Sequence, residues 1–156
     1  MRLWSEAFEE GQEIPIEFTK DGRNVSPPFN WSGLPAGTRE LALTFEGVTP
    51  STHEPWLHWL AYKIPASLGG LPAGFKHERE PEEPLHLFHG KNALGGDGYQ
   101  GPQGTVGRRF RYRIRLLALD SPVDAPSGLD RKHFEKAIHG HVLDQAELHA
   151  SYTGQP

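Results

Sequence analysis

Residues 56–64 read WLHWLAYKI, a run in which apolar side chains fall on both alternating faces. With period two, Trp56, His58, Leu60, Tyr62 and Ile64 point one way, and Leu57, Trp59, Ala61 and Lys63 the other. Aromatic and branched residues at this density suit a central strand covered on both sides. His58 therefore lies between Trp56 and Leu60 in a strand with no solvent face. From this pattern alone, a hydrogen-bonded core histidine and a pocket histidine are both open readings.

The flanking sequence continues the β pattern. Residues 39–46, RELALTFE, place Leu41, Leu43 and Phe45 on one face and Ala42, Thr44 and Glu46 on the other. Residues 110–119, FRYRIRLLAL, set Phe110, Tyr112, Ile114 and Leu116 against Arg111, Arg113 and Arg115. That strand starts at an edge or a mouth and ends buried. Residues 146–152, AELHASY, form a further strand. Residues 129–138, LDRKHFEKAI, are the best helix, with Leu129, His133, Phe134 and Ile138 along one side. Ser127 can cap it and Gly140 can end it. The charged, proline-broken KHEREPEEP at 76–84 is a solvated loop. With no internal repeat and no linker, residues 1–156 read as one domain, mainly β, a small sandwich with one or two helices.

Composition narrows the function. The chain has 156 residues, enough to bury roughly 70% of its unfolded surface. Four Trp, four Tyr and eight Phe supply core bulk, while 18 Gly and 14 Pro spread along the chain imply many turns. The formal net charge of −4 gives no broad basic surface for nucleic acid or an anionic membrane. The absence of cysteine removes disulfides, thiolate nucleophiles and Cys-based zinc sites. No apolar run approaches a membrane span, and MRLWSEAFEEG is too polar for a signal peptide, so a cytoplasmic protein is expected.

Residues 90–104, GKNALGGDGYQGPQG, contain G-x-G-x-x-G at Gly96, Gly98 and Gly101. A dinucleotide site needs a hydrophobic strand before this motif and a helix directly after it. Here LFHGKNALG precedes it, and Pro102, Gly104 and Gly107 follow, so no helix can start. The glycines instead allow positive φ or close backbone approach in a loop that feeds the strand at Phe110. No P-loop and no nucleophile elbow occurs. His139 and His141 form H-x-H without a third ligand in sequence reach, so no metal is expected. His86 and His89 flank a loop and are expected to be exposed.

Five segments in order carry a resemblance: GQEIPIEFTKDGRNVSPPFNWSGLPAGTRELAL, WLHWLAYKIP, GKNALGGDGYQGP, RYRIRLLALD and GHVLDQAELHASY. They resemble the phosphatidylethanolamine-binding protein family, in its bacterial Raf-kinase-inhibitor-like branch, from about Leu3 to Tyr152. The resemblance implies a β-sandwich with a short helix near the C-terminus. It also implies one pocket for small anions and phosphorylated head groups. Carried over by motif, Trp56 and His58 line that pocket. Tyr99, Gly101 and Pro102 form its rim, with glycine letting backbone N–H groups face an anion. Tyr112 matches the tyrosine of the family's Gly-x-x-His-Arg-Tyr segment.

Two departures alter the expectation. The family's Asp-Pro-Asp-Ala-Pro is replaced by GVTPSTHEP, where Thr49 and Ser51 stand for the two acids and His53 and Glu54 are the nearest ionisable residues. The family's His-Arg-Tyr reads Phe110-Arg111-Tyr112, so a second pocket imidazole is a phenyl ring. A hydrogen bond to a charged group contributes about 1.5–3 kcal/mol, so this change implies roughly tenfold to hundredfold weaker phosphate binding. Backward alternation from Phe110 puts Arg108 on the pocket side, where its guanidinium can supply donors; a solvated basic strand edge is the competing reading.

The expectation is a non-enzymatic binding protein with a degenerate anion pocket lined by Trp56, His58, Tyr99, Gly101, Pro102, Arg108, Phe110 and Tyr112. Its ligand is a small anion or a phosphorylated small molecule, with no cofactor, nucleic acid or membrane span. The alternative is a protein-interaction regulator, akin to a kinase or protease inhibitor, with a vestigial pocket; a protein partner or a homodimer stays open. Catalysis would need His58 with Ser51 or Tyr112, a pairing that nothing in the spacing supports.

Overall fold

The computed structural model describes residues 1–48 and 54–156. Three short strands, β1 (Arg2–Trp4), β2 (Phe29–Ser32) and β5 (Gly70–Leu71), form an antiparallel sheet in the order β1-β2-β5. Five strands form the larger sheet: β3 (Glu40–Gly47), β4 (Leu57–Pro65), β6 (Phe88–His89), β7 (Arg109–Leu119) and β8 (Val142–Thr153). Their order is β6-β4-β3-β7-β8. One helix, α1 (Arg131–Ile138), lies on the outer face of this sheet. The architecture is the mainly β sandwich with a short C-terminal helix expected from the sequence.

Two hydrophobic clusters explain why β3 and β4 carry apolar residues on both faces. Between the sheets, Phe29 and Trp31 of β2 pack on Leu41, Leu43, Phe45, Trp59 and Ile114. Outside the larger sheet, Ala42, Leu60, Tyr62, Leu117 and Leu119 pack on Phe134 and Ile138 of α1. Each large side chain buried this way contributes about 1.5–3 kcal/mol.

Strict alternation fails in β4, and the failure positions the site. Phe45 pairs with Trp59 but Glu46 pairs with Leu57, so His58 is an extra residue with no partner on β3. This β-bulge turns His58 to the same side as Trp59, into the inter-sheet space. A second irregularity lies between Leu41, opposite Ile64, and Leu43, opposite Ala61; Lys63 there has φ +58°. The two bulges overturn the expected grouping of His58 and Ile64 with Leu60 and Tyr62. His58, Trp59, Ala61 and Ile64 face the inner side, and Leu57, Leu60 and Tyr62 the outer side.

Other local readings are corrected as well. The arginine-bearing strand β7 is not an edge, because β3 and β8 flank it. The helix is capped by Asp130, whose carboxylate accepts from the His133 N–H at 2.8 Å; Ser127 instead donates to Glu80. His133 turns outward to Asp130 rather than joining Phe134 and Ile138. Gly140 follows the helix with φ +80°, as its placement suggested. His89 is fully buried rather than exposed, while His86 is exposed.

Candidate functional site

A cavity of about 570 Å³ opens where β3 ends, β4 begins and β7 enters the sheet. Gly47, Trp56, His58, Phe110 and Tyr112 come from these strands and their ends, and Lys20 with the Gln100–Thr105 loop closes the other side. The bulge delivers His58 to this space, and the adjoining Trp59 goes to the core behind it. The imidazole of His58 sits edge-on to Tyr112 at 5.3 Å and to Phe45 at 5.9 Å between ring centres.

Two backbone bonds fix the imidazole. The Gln100 N–H donates to the His58 carbonyl at 2.9 Å, and the Gln100 carbonyl lies 2.8 Å from His58 Nδ1. A carbonyl only accepts, so Nδ1 carries the proton. Nε2 is then an unprotonated acceptor on the cavity side and has no hydrogen-bond partner among the described residues. Burial pushes the His58 pKa down; the Gln100 carbonyl opposes this, and the Lys20 charge adds to it. At neutral pH His58 is therefore uncharged.

The glycine loop is built for support. Gly98 holds φ +87°, which the turn after Asp97 requires. Gly101 packs so tightly that a Cβ would lie 2.4 Å from the Phe18 carbonyl oxygen. Its N–H donates to Asn24 Oδ1 at 2.7 Å, so it does not face the cavity as an anion donor. Tyr99 is not at the rim: its ring is fully buried against Phe45 and Trp59, and its hydroxyl donates to the Phe18 carbonyl at 2.5 Å. Pro102 is buried and its carbonyl accepts from the Lys20 N–H. Tyr99 and Pro102 thus carry the lip without lining the cavity.

Trp56, His58, Gly101, Phe110 and Tyr112 are brought together as cavity lining. Trp56 is 53% exposed, so it forms a wall at the mouth. The Phe110 ring stands at one side and leaves the space open. Arg108 does not line the cavity; its guanidinium stacks over the Phe110 ring at 5.3 Å. The cationic lining comes instead from Lys20 and Arg111, neither of which alternation assigned to the pocket. Lys20 lies in a segment with no strand or helix periodicity, and Arg111 reaches the mouth because β3 stops at Gly47 beside it. Thr49, Ser51 and His53 lie outside the described residues. Among the described residues, no group of three His, Asp or Glu could hold a metal ion.

Behind the sheet, a charge cluster ties down the cavity wall. Glu46, only 1% exposed, accepts from Arg113 at 3.0 Å, Arg115 at 2.9 Å and Arg131 at 2.9 Å. Arg131 also donates to the Pro55 carbonyl at 2.7 Å and lies 3.4 Å from Glu54. Burial alone would raise the Glu46 carboxyl, but the bonds from Arg131 and Arg113 and the charges of Arg115 and Arg131 hold it below its ordinary value. Through Pro55 this cluster anchors the residue before Trp56. The arginines of β7 are therefore partly structural, not a solvated edge.

Fold and cavity together define a two-sheet β-sandwich with a histidine-bearing pocket at its strand ends. The chain belongs to the phosphatidylethanolamine-binding protein family, whose family model matches residues 4–153. A UPF0098 protein of Methanothermobacter thermautotrophicus is 35% identical over 155 residues, covering 97% of this chain and 98% of that one. A UPF0098 protein of Aquifex aeolicus is 30% identical over 155 residues, covering 97% and 88%. Among solved structures, a putative phosphatidylethanolamine-binding protein homologue of Chlamydia trachomatis superposes with TM-score 0.85 at 28% identity, covering 99% of this chain and 97% of that one. YbcL of E. coli superposes with TM-score 0.86 at 23% identity, covering 97% of each, a likeness of fold.

Proposed function

We propose that this chain is a non-enzymatic binding protein, one domain over residues 1–156, whose cavity takes small anions or phosphorylated head groups. The observation that carries this reading is the buried, orientationally fixed His58 with Lys20 and Arg111 lining the same 570 Å³ space. An anion entering it meets two cationic side chains and an imidazole nitrogen that becomes a donor once protonated. The apolar share of the lining, from Val48, Trp56, Leu57, Leu94 and Phe110, suits a ligand with an uncharged portion. Among the described residues, the hydroxyl-bearing ring packed directly on His58 is that of Tyr112, and burial pushes its phenol well above the ordinary pKa, so it is a poor nucleophile at neutral pH.

The test is calorimetric titration of phosphate, acetate and phosphoethanolamine into the protein and into His58→Ala. Saturable binding that weakens at least tenfold in the variant is expected; equal binding by both proteins contradicts the assignment.

A second reading, a protein-interaction regulator, is favoured by exposed Val48, Trp56 and Leu94 around the mouth. A partner captured equally by the wild type and His58→Ala, and lost on changing residues 76–84, would support it over the first.

A further inference from the structure

A second cavity, of about 210 Å³, lies on the other face of the larger sheet, between β3, β4, β7 and α1. Leu57, Leu60, Leu117, Phe134 and Ile138 give it apolar walls. Thr44 and Arg115, direct partners across β3 and β7, also line it. Both carry unmet hydrogen-bonding capacity. Thr44 is 6% exposed, and its Oγ1 has no partner among the described residues. Arg115 gives one Nη to Glu46 at 2.9 Å, while its buried Nε has no partner. A hydroxyl and a guanidinium nitrogen left without acceptors carry the desolvation cost of bonds not made.

The surroundings define what would satisfy them. Three guanidiniums, of Arg113, Arg115 and Arg131, converge on the single buried carboxylate of Glu46. Arg131 and Glu135 also line the cavity, and Glu54 and Glu135, both largely exposed, approach only Arg131, at 3.4 and 3.9 Å. Among the described residues Arg113 and Arg115 share Glu46 as their paired carboxylate, so positive charge is in excess on the Arg115 side of the cavity, and an anionic acceptor fits there better than a neutral one. The remaining walls ask for an apolar body. The volume is ample, since an apolar cavity of about 150 Å³ admits a benzene-sized molecule.

We propose that this rear cavity binds a short-chain carboxylate, of about six carbons for the space available. Its carboxylate accepts from Thr44 and Arg115, and its tail lies beneath α1 against Leu60, Leu117 and Phe134. The site opens on the opposite face of the sheet from His58, shares only Leu57 with the lining of that cavity among the described residues, and does not depend on what that cavity binds.

The experiment is a titration of the full chain with hexanoate, followed by NMR at Leu117 and Phe134 for the rear cavity and at His58 and Tyr112 for the front. Saturable shifts at Leu117 and Phe134 are expected, with hexanol at least tenfold weaker. Thr44→Val, which keeps the side-chain shape, should weaken hexanoate several-fold, and Arg115→Met about tenfold. If Arg115→Met does not fold, Thr44→Val with the hexanol comparison decides. Shifts confined to His58 and Tyr112, no shift at millimolar hexanoate, or equal binding of hexanol and hexanoate would each overturn the proposal.

Discussion

His58 and Gln100 hold each other by two backbone-involving hydrogen bonds: the Gln100 N–H to the His58 carbonyl, 2.9 Å, and His58 Nδ1–H to the Gln100 carbonyl, 2.8 Å. The bulged strand and the glycine loop are joined at the residue that carries the site's chemistry. The pairing leaves one nitrogen, Nε2, for a ligand and fixes its direction.

The tautomer dictates a pH dependence. A bound anion needs a proton on Nε2, and the free protein holds His58 neutral because its pKa is depressed. Anion affinity should therefore rise as pH falls from 7.5 toward 5.5, by up to about tenfold per pH unit above the free-state pKa. Calorimetry of phosphate across this range checks it. His58→Gln, which keeps a hydrogen-bonding side chain without the titration, should bind weakly and show no such slope.

Phe110 lines the cavity beside Tyr112, at the position where the motif resemblance places an imidazole. Phe110→His returns one donor to a cavity that already holds Lys20, Arg111 and His58. Phosphate binding should tighten about tenfold to hundredfold, equivalent to roughly 1.5–3 kcal/mol. The comparison is a pair of dissociation constants measured below pH 6.5. An unchanged constant would mean that the ligand does not reach this wall.

These two predictions rest on parts of the molecule that differ in how legible they were. The long strands β3, β4 and β7 announced themselves by apolar periodicity, and motif order gave the family. The three-residue β1 and two-residue β5 and β6 are too short for any period to register. Alternation gives His58 the wrong face because a bulge consumes one residue of the period and leaves no mark in composition. Alternation puts Arg111 on the face away from Phe110 and gives Lys20 no place, because their cavity membership is decided by where β3 stops and how a distant loop folds over it. Tyr99 was placed at the rim by motif, yet its hydroxyl serves the Phe18 carbonyl in the interior.

Arg131 should act as a positioning residue for Trp56. Arg131→Met removes the bond to Pro55 and one of three guanidiniums on Glu46, while Arg113 and Arg115 remain. A stability loss of about 1–3 kcal/mol in urea denaturation is expected. The Trp56 indole NMR signal should shift in the folded variant without ligand. A purely structural role for Arg131 would lower stability and leave that signal unmoved.

His89 should make the fold acid-sensitive. Its Nε2 accepts from Trp59 Nε1–H at 2.9 Å and its Nδ1–H donates to the Glu78 carbonyl at 2.7 Å, so no site remains for a second proton. Burial first, and the His77 charge in lesser part, lower its pKa from 6.5 to about 4, against the opposing Glu78 carbonyl. The unfolded chain then binds more protons between these values. The stabilisation is present above pH 6.5 and is lost as pH falls toward 4, by roughly 3 kcal/mol. Thermal melts from pH 7 to 4.5 should show the decline, and His89→Gln, which keeps a donor and an acceptor, should flatten it. Protonation of Glu46, whose pKa is lowered, adds a further loss only below about pH 4.5.

The most direct test of the central claim is the His58 imidazole resonance followed from pH 8 to 5 with and without phosphate. A pKa that lies below 6.5 in the free protein and moves upward when phosphate is added is the predicted result. A His58 titration curve indifferent to phosphate at millimolar concentration would contradict anion binding in this cavity.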